Sequence, residues 1–359
     1  MYVYFIPLFA QRFGATFLDL GYIGTIASLT YAVVPIFVGH LADRISRYRL
    51  YALSLLLNFV ATITLVLSRS VNDIILIRGL GGLGQAFYWP ITETLVLELA
   101  PRGKRVKEMG LYSVSWGSAY LIGPLLGGVI IQAFGFVKLF IIASALVMLA
   151  FVQAVVTVLP HHQQTGGRTF SVSESFRVMR RLWPWYVLVV CYGMIFNIIT
   201  AIFPGYASSV GISAVLIGGL FTVFGITRIS SYATVERYLH FGERKAIVLA
   251  SLLIGVGCLA IAFCPSFYSF LGAIAIMGGC FAIIFPLTIG LISRHFRDEQ
   301  AGAAVGSYET VLGIGNAIGP IYAGTVAAIS NVQLSFMTVS LFTILMVIIA
   351  ATGKMYSKN

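Results

Sequence analysis

The sequence predicts an all-α membrane protein: twelve transmembrane helices in two pseudo-symmetric six-helix halves, with the first helix truncated at its N-terminal end. Three observations carry this expectation. The chain is 59% hydrophobic and 10% charged, with a mean hydropathy of +0.95, far outside the soluble globular range, so its solvent is lipid. Apolar stretches of the ~20 residues that cross a bilayer recur along its length. Finally, residues 82 to 128 recur without a gap at 278 to 324, at a constant offset of 196. Gly82, Ala86, Pro90, Gly110, Tyr112, Gly117 and Gly128 reappear as Gly278, Ala282, Pro286, Gly306, Tyr308, Gly313 and Gly324. Two similar membrane-embedded halves facing each other are the usual architecture of a secondary transporter, with its site at the repeat interface.

Span 1, residues 1–13, is too short to cross a bilayer. Pro7, Ala10 and Gly14 align with Pro204, Ala207 and Gly211 at an offset of 197, so the chain opens where span 7 is already well advanced. The first helix is therefore expected to lack its opening ~10–15 residues, judged against a full span. No basic segment or small-residue cleavage site marks a signal peptide, which favours a start placed downstream of the native one. Spans 2 to 6, near 18–41, 49–68, 73–99, 109–134 and 137–159, complete a first half, residues 1–159. Residues 160–183 then change composition to His161, His162 and a Gln/Gly stretch, followed by an amphipathic run with Phe170, Phe176, Met179 and Leu182. Ser171 and Glu174 fit a capping box. Arg177, Arg180 and Arg181 could face anionic headgroups, and a plain linker helix fits equally well. Spans 7 to 12, near 184–205, 212–235, 246–266, 267–293, 302–328 and 333–353, form a second half, 184–359.

The formal charge of +11 invites a nucleic-acid reading, but the positions of the charges argue otherwise. Of 23 Lys and Arg, 18 lie in alternate connections or at the C-terminus, and the opposite connections carry only Arg12, Arg69 and Lys138. This positive-inside pattern puts both termini and the central connection in the cytoplasm of a plasma-membrane protein, with no nucleic-acid partner. Cys191, Cys258, Cys264 and Cys280 lack metal-like spacing and read as small core residues. The five histidines fall at span ends or in loops, so no embedded catalytic group, metal site or cofactor is expected.

Between spans 2 and 3 stands Gly39, then Asp43, Arg44, Arg47 and Arg49. Here the chain resembles the major facilitator superfamily, whose loop 2-3 signature is a glycine, an acid and clustered basics; Ser46 departs from the usual glycine. Glu236, Arg237, Gly242, Arg244 and Lys245 form a looser second copy. Arg78, Gly82 and Ala86 resemble the family's arginine motif of helix 4. Gly123, Pro124, Gly127 and Gly128 resemble its glycine-proline motif of helix 5, echoed by Gly319 and Pro320. The resemblance implies alternating access, a cavity lined by helices 1, 4, 7 and 10, and a latch at Gly39, Asp43, Arg44 and Arg47. A charge network of Glu98, Arg105, Glu236 and Arg237 would accompany that latch. It also implies antiport, although tight helix packing alone explains the same glycines.

The ionisable residues inside spans point most directly to chemistry: Arg78 and Glu93 on span 4, Arg228 on span 8 and Glu309 on span 11. Each costs ~2.5–3.5 kcal/mol near mid-membrane, so each is expected to be paired, wet or near an interface. Arg78, Gln85, Trp89 and Thr92 form one helical stripe with Glu93 at its edge, expected to face water. Asn197 is a lesser candidate opposite it. Arg228 could instead snorkel toward the headgroups, and Glu93 could serve as a structural partner for a basic loop residue. Glu309 takes the place that Ser113 holds in the first copy. A carboxylate there is a candidate proton carrier, with a helix-end ion pair as the competing reading. The expectation is a secondary transporter, monomeric, coupling protons to export of a small organic molecule. Uptake of a sugar or other metabolite is the alternative, and a transport-incompetent sensor is disfavoured because no soluble output domain is present.

Overall fold

The computed structural model describes residues 1–42, 45–99, 105–158, 179–234, 242–294 and 301–353, and every regular element among them is helical. Helix α1 is a 3-10 turn, Val3–Phe5, running into Ile6–Gln11. There follow α2 (Phe17–Ala42), α3 (Arg47–Thr64, with a final turn Leu65–Leu67) and α4 (Val71–Leu99). The continuous stretch Arg105–Gln153 holds two helices, α5 (105–134) and α6 (136–153), broken where Gly135 adopts φ 81° and ψ 175°. A side chain is strained in that backbone region, so glycine lets the chain reverse there. Helix α7 is Trp183–Ala201 continued by Phe203–Ser209 after a break at Ile202. The rest are α8 (Ala214–Ala233), α9 (Glu243–Phe263), α10 (Phe267–Ser293), α11 (Ala301–Ile329) and α12 (Val332–Thr352).

Nine stretches of the described residues are long and apolar enough to cross a membrane, and the 44-residue one, Val114–Thr157, supplies two crossings. Helix α1 is too short, and α4 carries Asp73, Arg78 and Glu93. Buried rings knit the core, among them Phe5, Phe140, Phe203, Phe221, Phe270, Phe281 and Phe336.

The halves meet along two seams, α2 against α11 and α5 against α8, and the duplication repeats several contacts of one seam in the other. Thr25 of α2 donates to the Ala317 carbonyl at 2.7 Å, and its copy Thr222 donates to that of Leu121 at 3.0 Å. A Cβ on Gly21 would lie 2.7 Å from the Pro320 oxygen, and one on Gly218 would collide with the Pro124 oxygen. A Cβ on Gly324 would lie 2.6 Å from the Phe17 oxygen, and one on Gly128 2.6 Å from that of Ala214. Lipid tails are as apolar as side chains, so helices associate here through backbone proximity that only small residues allow. The glycine-proline motif thereby presents two faces. Pro124 and Gly128 receive α8, whereas Gly123 and Gly127 receive Met1 and Phe5 of the α1 segment. In the second copy Pro320 receives α2 and Gly319 receives Met194 of α7.

The end opposite the basic connections is closed. Tyr4 stacks on Phe221 with centroids 4.1 Å apart, and Gln11 Nε2 donates to the Gly205 carbonyl at 3.0 Å. Both contacts join the first half to the second. The turns that end α1 and α7 carry the same device, Gly14 at φ 81° and Gly211 at φ 87°. Toward the other end, the opening residue of α9, Glu243, pairs with Arg294 at the close of α10 in two bonds, one of 2.9 Å. An offset of 196 carries Glu243 onto Arg47 and Arg294 onto Glu98, the same two positions with their signs exchanged.

Candidate functional site

The seam between α2 and α11 holds the first embedded charge. Glu309 is half-buried and its carboxylate accepts a long contact, 3.5 Å, from the Tyr31 hydroxyl of the opposite half. Glu93 of α4 lies within electrostatic reach of it. Among the described residues its hydrogen bond is to a tyrosine of the other half.

The seam between α5 and α8 holds the second. It is Arg228. Its guanidinium lies over the Phe196 ring of α7, 5.1 Å from the centroid, and its Nε and Nη2 donate to the Tyr232 hydroxyl at 3.3 and 3.2 Å. Tyr192 and Tyr120 stand within its field. An aromatic wall leads away from it: Tyr120 meets Trp116 edge-on at 5.7 Å, and Trp116 meets Trp89 at 6.2 Å.

The polar stripe of α4 is divided among neighbours. Gln85 turns to α3, where its Nε2 donates to Asn58 Oδ1 at 2.8 Å. Asn58 belongs to a ladder in which Thr62 accompanies it and reaches the Tyr2 hydroxyl at 3.0 Å. Trp89 turns to α5. Arg78 is half-buried, and its Nε has no hydrogen-bond partner among the described residues. Asn197 lies in the α2–α7–α11 junction instead of opposite the stripe. Its Nδ2 donates to Ser28 Oγ at 2.8 Å and to the Asn316 carbonyl at 2.6 Å, and its Oδ1 accepts from Thr200 at 2.8 Å. All its polar atoms are engaged, which makes it a clasp between halves.

Among the expected latch and network residues, Arg47 opens α3. Asp43, Arg44, Glu236, Arg237 and most of the connection 160–183 lie outside the described residues, as do the side chains of Glu98 and Arg105 and the surroundings of Gly39. Sequence reasoning passed over Tyr31, Asn58, Phe196 and Tyr232. Tyr31 had a signal: at the offset of 197 it is the counterpart of Arg228, and the duplication brings each to an equivalent place in its seam.

A duplicated helical bundle with glycine-lined seams and embedded charges between its halves has the build of a multi-pass membrane transporter. The comparisons with known proteins agree. The Major Facilitator Superfamily profile matches residues 1–239 and 234–355, and the chain belongs to that family. It is 24% identical over 336 residues to the quinolone resistance protein NorA of Staphylococcus aureus, covering 89% of this chain and 83% of that one. It is 25% identical over 342 residues to the multidrug resistance protein MdtG of Escherichia fergusonii, covering 90% and 83%. The fold is shared with a bacterial homologue of the human lysosomal transporter Spinster, in an inward-facing, unoccupied conformation: TM-score 0.77, 15% identity, 97% and 91% coverage. It is shared too with the nucleoside transporter NupG, with TM-score 0.82, 13% identity, and 99% and 96% coverage. Among the described residues the helices follow the twelve-helix, two-half architecture expected from the sequence.

Proposed function

We propose that this chain is a proton-coupled exporter of small organic molecules in the plasma membrane, monomeric, with both termini cytoplasmic. Units 1–159 and 184–359 rock against each other about the seams, joined by the connection 160–183, so that the central site faces alternate sides. The observation that carries the coupling is Glu309, a half-buried carboxyl group touching Tyr31 of the other half. A carboxyl group at a seam that opens alternately can take a proton on one side and release it on the other, and substrate charge on the same groups would tie the two events together. Export rather than uptake is supported by the resistance proteins NorA and MdtG among the relatives. In this reading Arg78, Trp89 and Glu93 border the cavity, and Gln85 braces that wall through Asn58 of α3. Gly39, Asp43, Arg44 and Arg47 latch the cytoplasmic ends together with Glu98, Arg105, Glu236 and Arg237. No catalytic residue, metal or cofactor is assigned.

The test is transport in proteoliposomes under an imposed pH gradient, with a quinolone as probe. Glu309→Gln should abolish gradient-driven accumulation and retain counterflow exchange of labelled for unlabelled probe. Accumulation at the wild-type rate in that variant would overturn the assignment of the proton to Glu309.

A further inference from the structure

We infer that Arg228 is the anion-binding pole of the transport site, so that the molecule it carries is an aromatic compound bearing a carboxylate or a comparable acidic group. This deepens the transporter reading and rests on it.

The duplication supplies the argument. Position 228 on α8 corresponds to Tyr31 on α2, and Glu309 on α11 corresponds to Ser113 on α5. In the α2–α11 seam, the donor at the first of these positions meets a carboxylate at the second. In the α5–α8 seam the donor has become a guanidinium, and the partner position holds a serine, so the seam supplies a full positive charge and no acid at the matching place. Among the described residues, Arg228 bonds to one tyrosine hydroxyl and to no carboxylate. An embedded arginine without an acid is expensive, and its stack on Phe196 and bond to Tyr232 compensate only part of that cost. Those same contacts fix the guanidinium plane, which leaves its remaining donors oriented for an acidic group.

The surroundings define the rest of the ligand. Tyr120, within electrostatic reach of Arg228, meets Trp116 edge-on, and Trp116 meets Trp89, edge-to-face rings that favour a flat aromatic body. Tyr192 lies within electrostatic reach of both Arg228 and Glu309. An acidic aromatic compound with a basic substituent satisfies both poles; a purely cationic one leaves Arg228 without an anion.

The experiment measures binding to purified full-length protein by quenching of tryptophan fluorescence. The probes are a quinolone carboxylic acid with a basic ring substituent and its methyl ester, which keeps the cation and the rings and loses the anion. Wild-type protein should bind the acid at least about tenfold more tightly than the ester, the size expected of a charge-assisted bond. Arg228→Gln should erase that preference by weakening the acid far more than the ester. Arg228→Lys, which keeps the charge without the fork, should retain part of it. Equal binding of acid and ester by wild type, binding of neither, or a preserved preference in Arg228→Gln would each overturn the assignment. Accumulation of the ester driven by a pH gradient separates this from the exporter reading: ester transport with no acid preference removes the anion pole alone, whereas acid preference without gradient-driven movement removes the exporter reading alone. A thermal midpoint of Arg228→Gln close to that of the wild type shows that this variant is folded.

Discussion

Replacing Gly128 by alanine should loosen the α5–α8 seam and open the end that this structure closes. The added Cβ would stand 2.6 Å from the Ala214 carbonyl oxygen and 2.9 Å from the Cα of Val215, where ordinary contact begins at 3.4 Å, a shortfall of about 0.8 Å against backbone. Backbone in a helix cannot swing aside as a side chain can, so the helices must part. Overpacking of this kind costs about 1–3 kcal/mol, which at ~1.4 kcal/mol per factor of ten is roughly a 5- to 150-fold shift away from the closed state. The reporter is Leu20→Cys, because Leu20 of α2 is 1% exposed and lies over Gly205 of the opposite half. With exposed Cys264 replaced by serine, its reaction rate with a membrane-impermeant maleimide measures opening. Gly219 provides the control: it lies on the partner helix α8 with nothing within 4 Å of its would-be Cβ. Gly128→Ala should raise the labelling rate within the range above, and Gly219→Ala should leave it unchanged. Equal rates in the two variants would refute the claim that backbone proximity at Gly128 holds this end shut.

Two other perturbations test the clasp and the ion pair. Asn197→Ala removes both donors that tie α7 to Ser28 and Asn316; at ~0.6–1.7 kcal/mol per intramembrane hydrogen bond, it should lower the thermal midpoint by several degrees. An unchanged midpoint would mean that the clasp carries no stability. The Glu243–Arg294 pair has side chains 18% and 56% exposed, so a double-mutant cycle with Glu243→Gln and Arg294→Gln should give a coupling of only about 0–1 kcal/mol. A coupling well above that would mark the pair as an energetic latch at the end of α9 and α10.

Much of the architecture was legible because it depends on quantities that a linear chain displays. Span length, alternation of basic connections and a constant offset of 196 need no coordinates. The duplication even implied which glycines would recur at the seams. Side-chain destinations were less accessible. Helical periodicity placed Gln85 and Trp89 on one stripe, yet Gln85 turns to Asn58 on α3 and Trp89 to Trp116 on α5, because the stripe fills the gap between two neighbours. Arg228 stood close enough to a helix end to snorkel, and the ring it lies over, Phe196, arrives from α7, which no local pattern discloses. The linear sequence therefore determined that this chain spans a membrane as two copies of one unit, since hydrophobic length and repetition are local properties. The tertiary structure decided which surfaces face protein and which face lipid. Ile74 is fully buried and Leu76, two residues on, is 74% exposed, although the two are equally apolar. In lipid the hydrophobic effect does not distinguish a neighbouring helix from a hydrocarbon tail; close backbone approach at glycines and hydrogen bonds between distant helices make that choice, and both exist only once the helices have met.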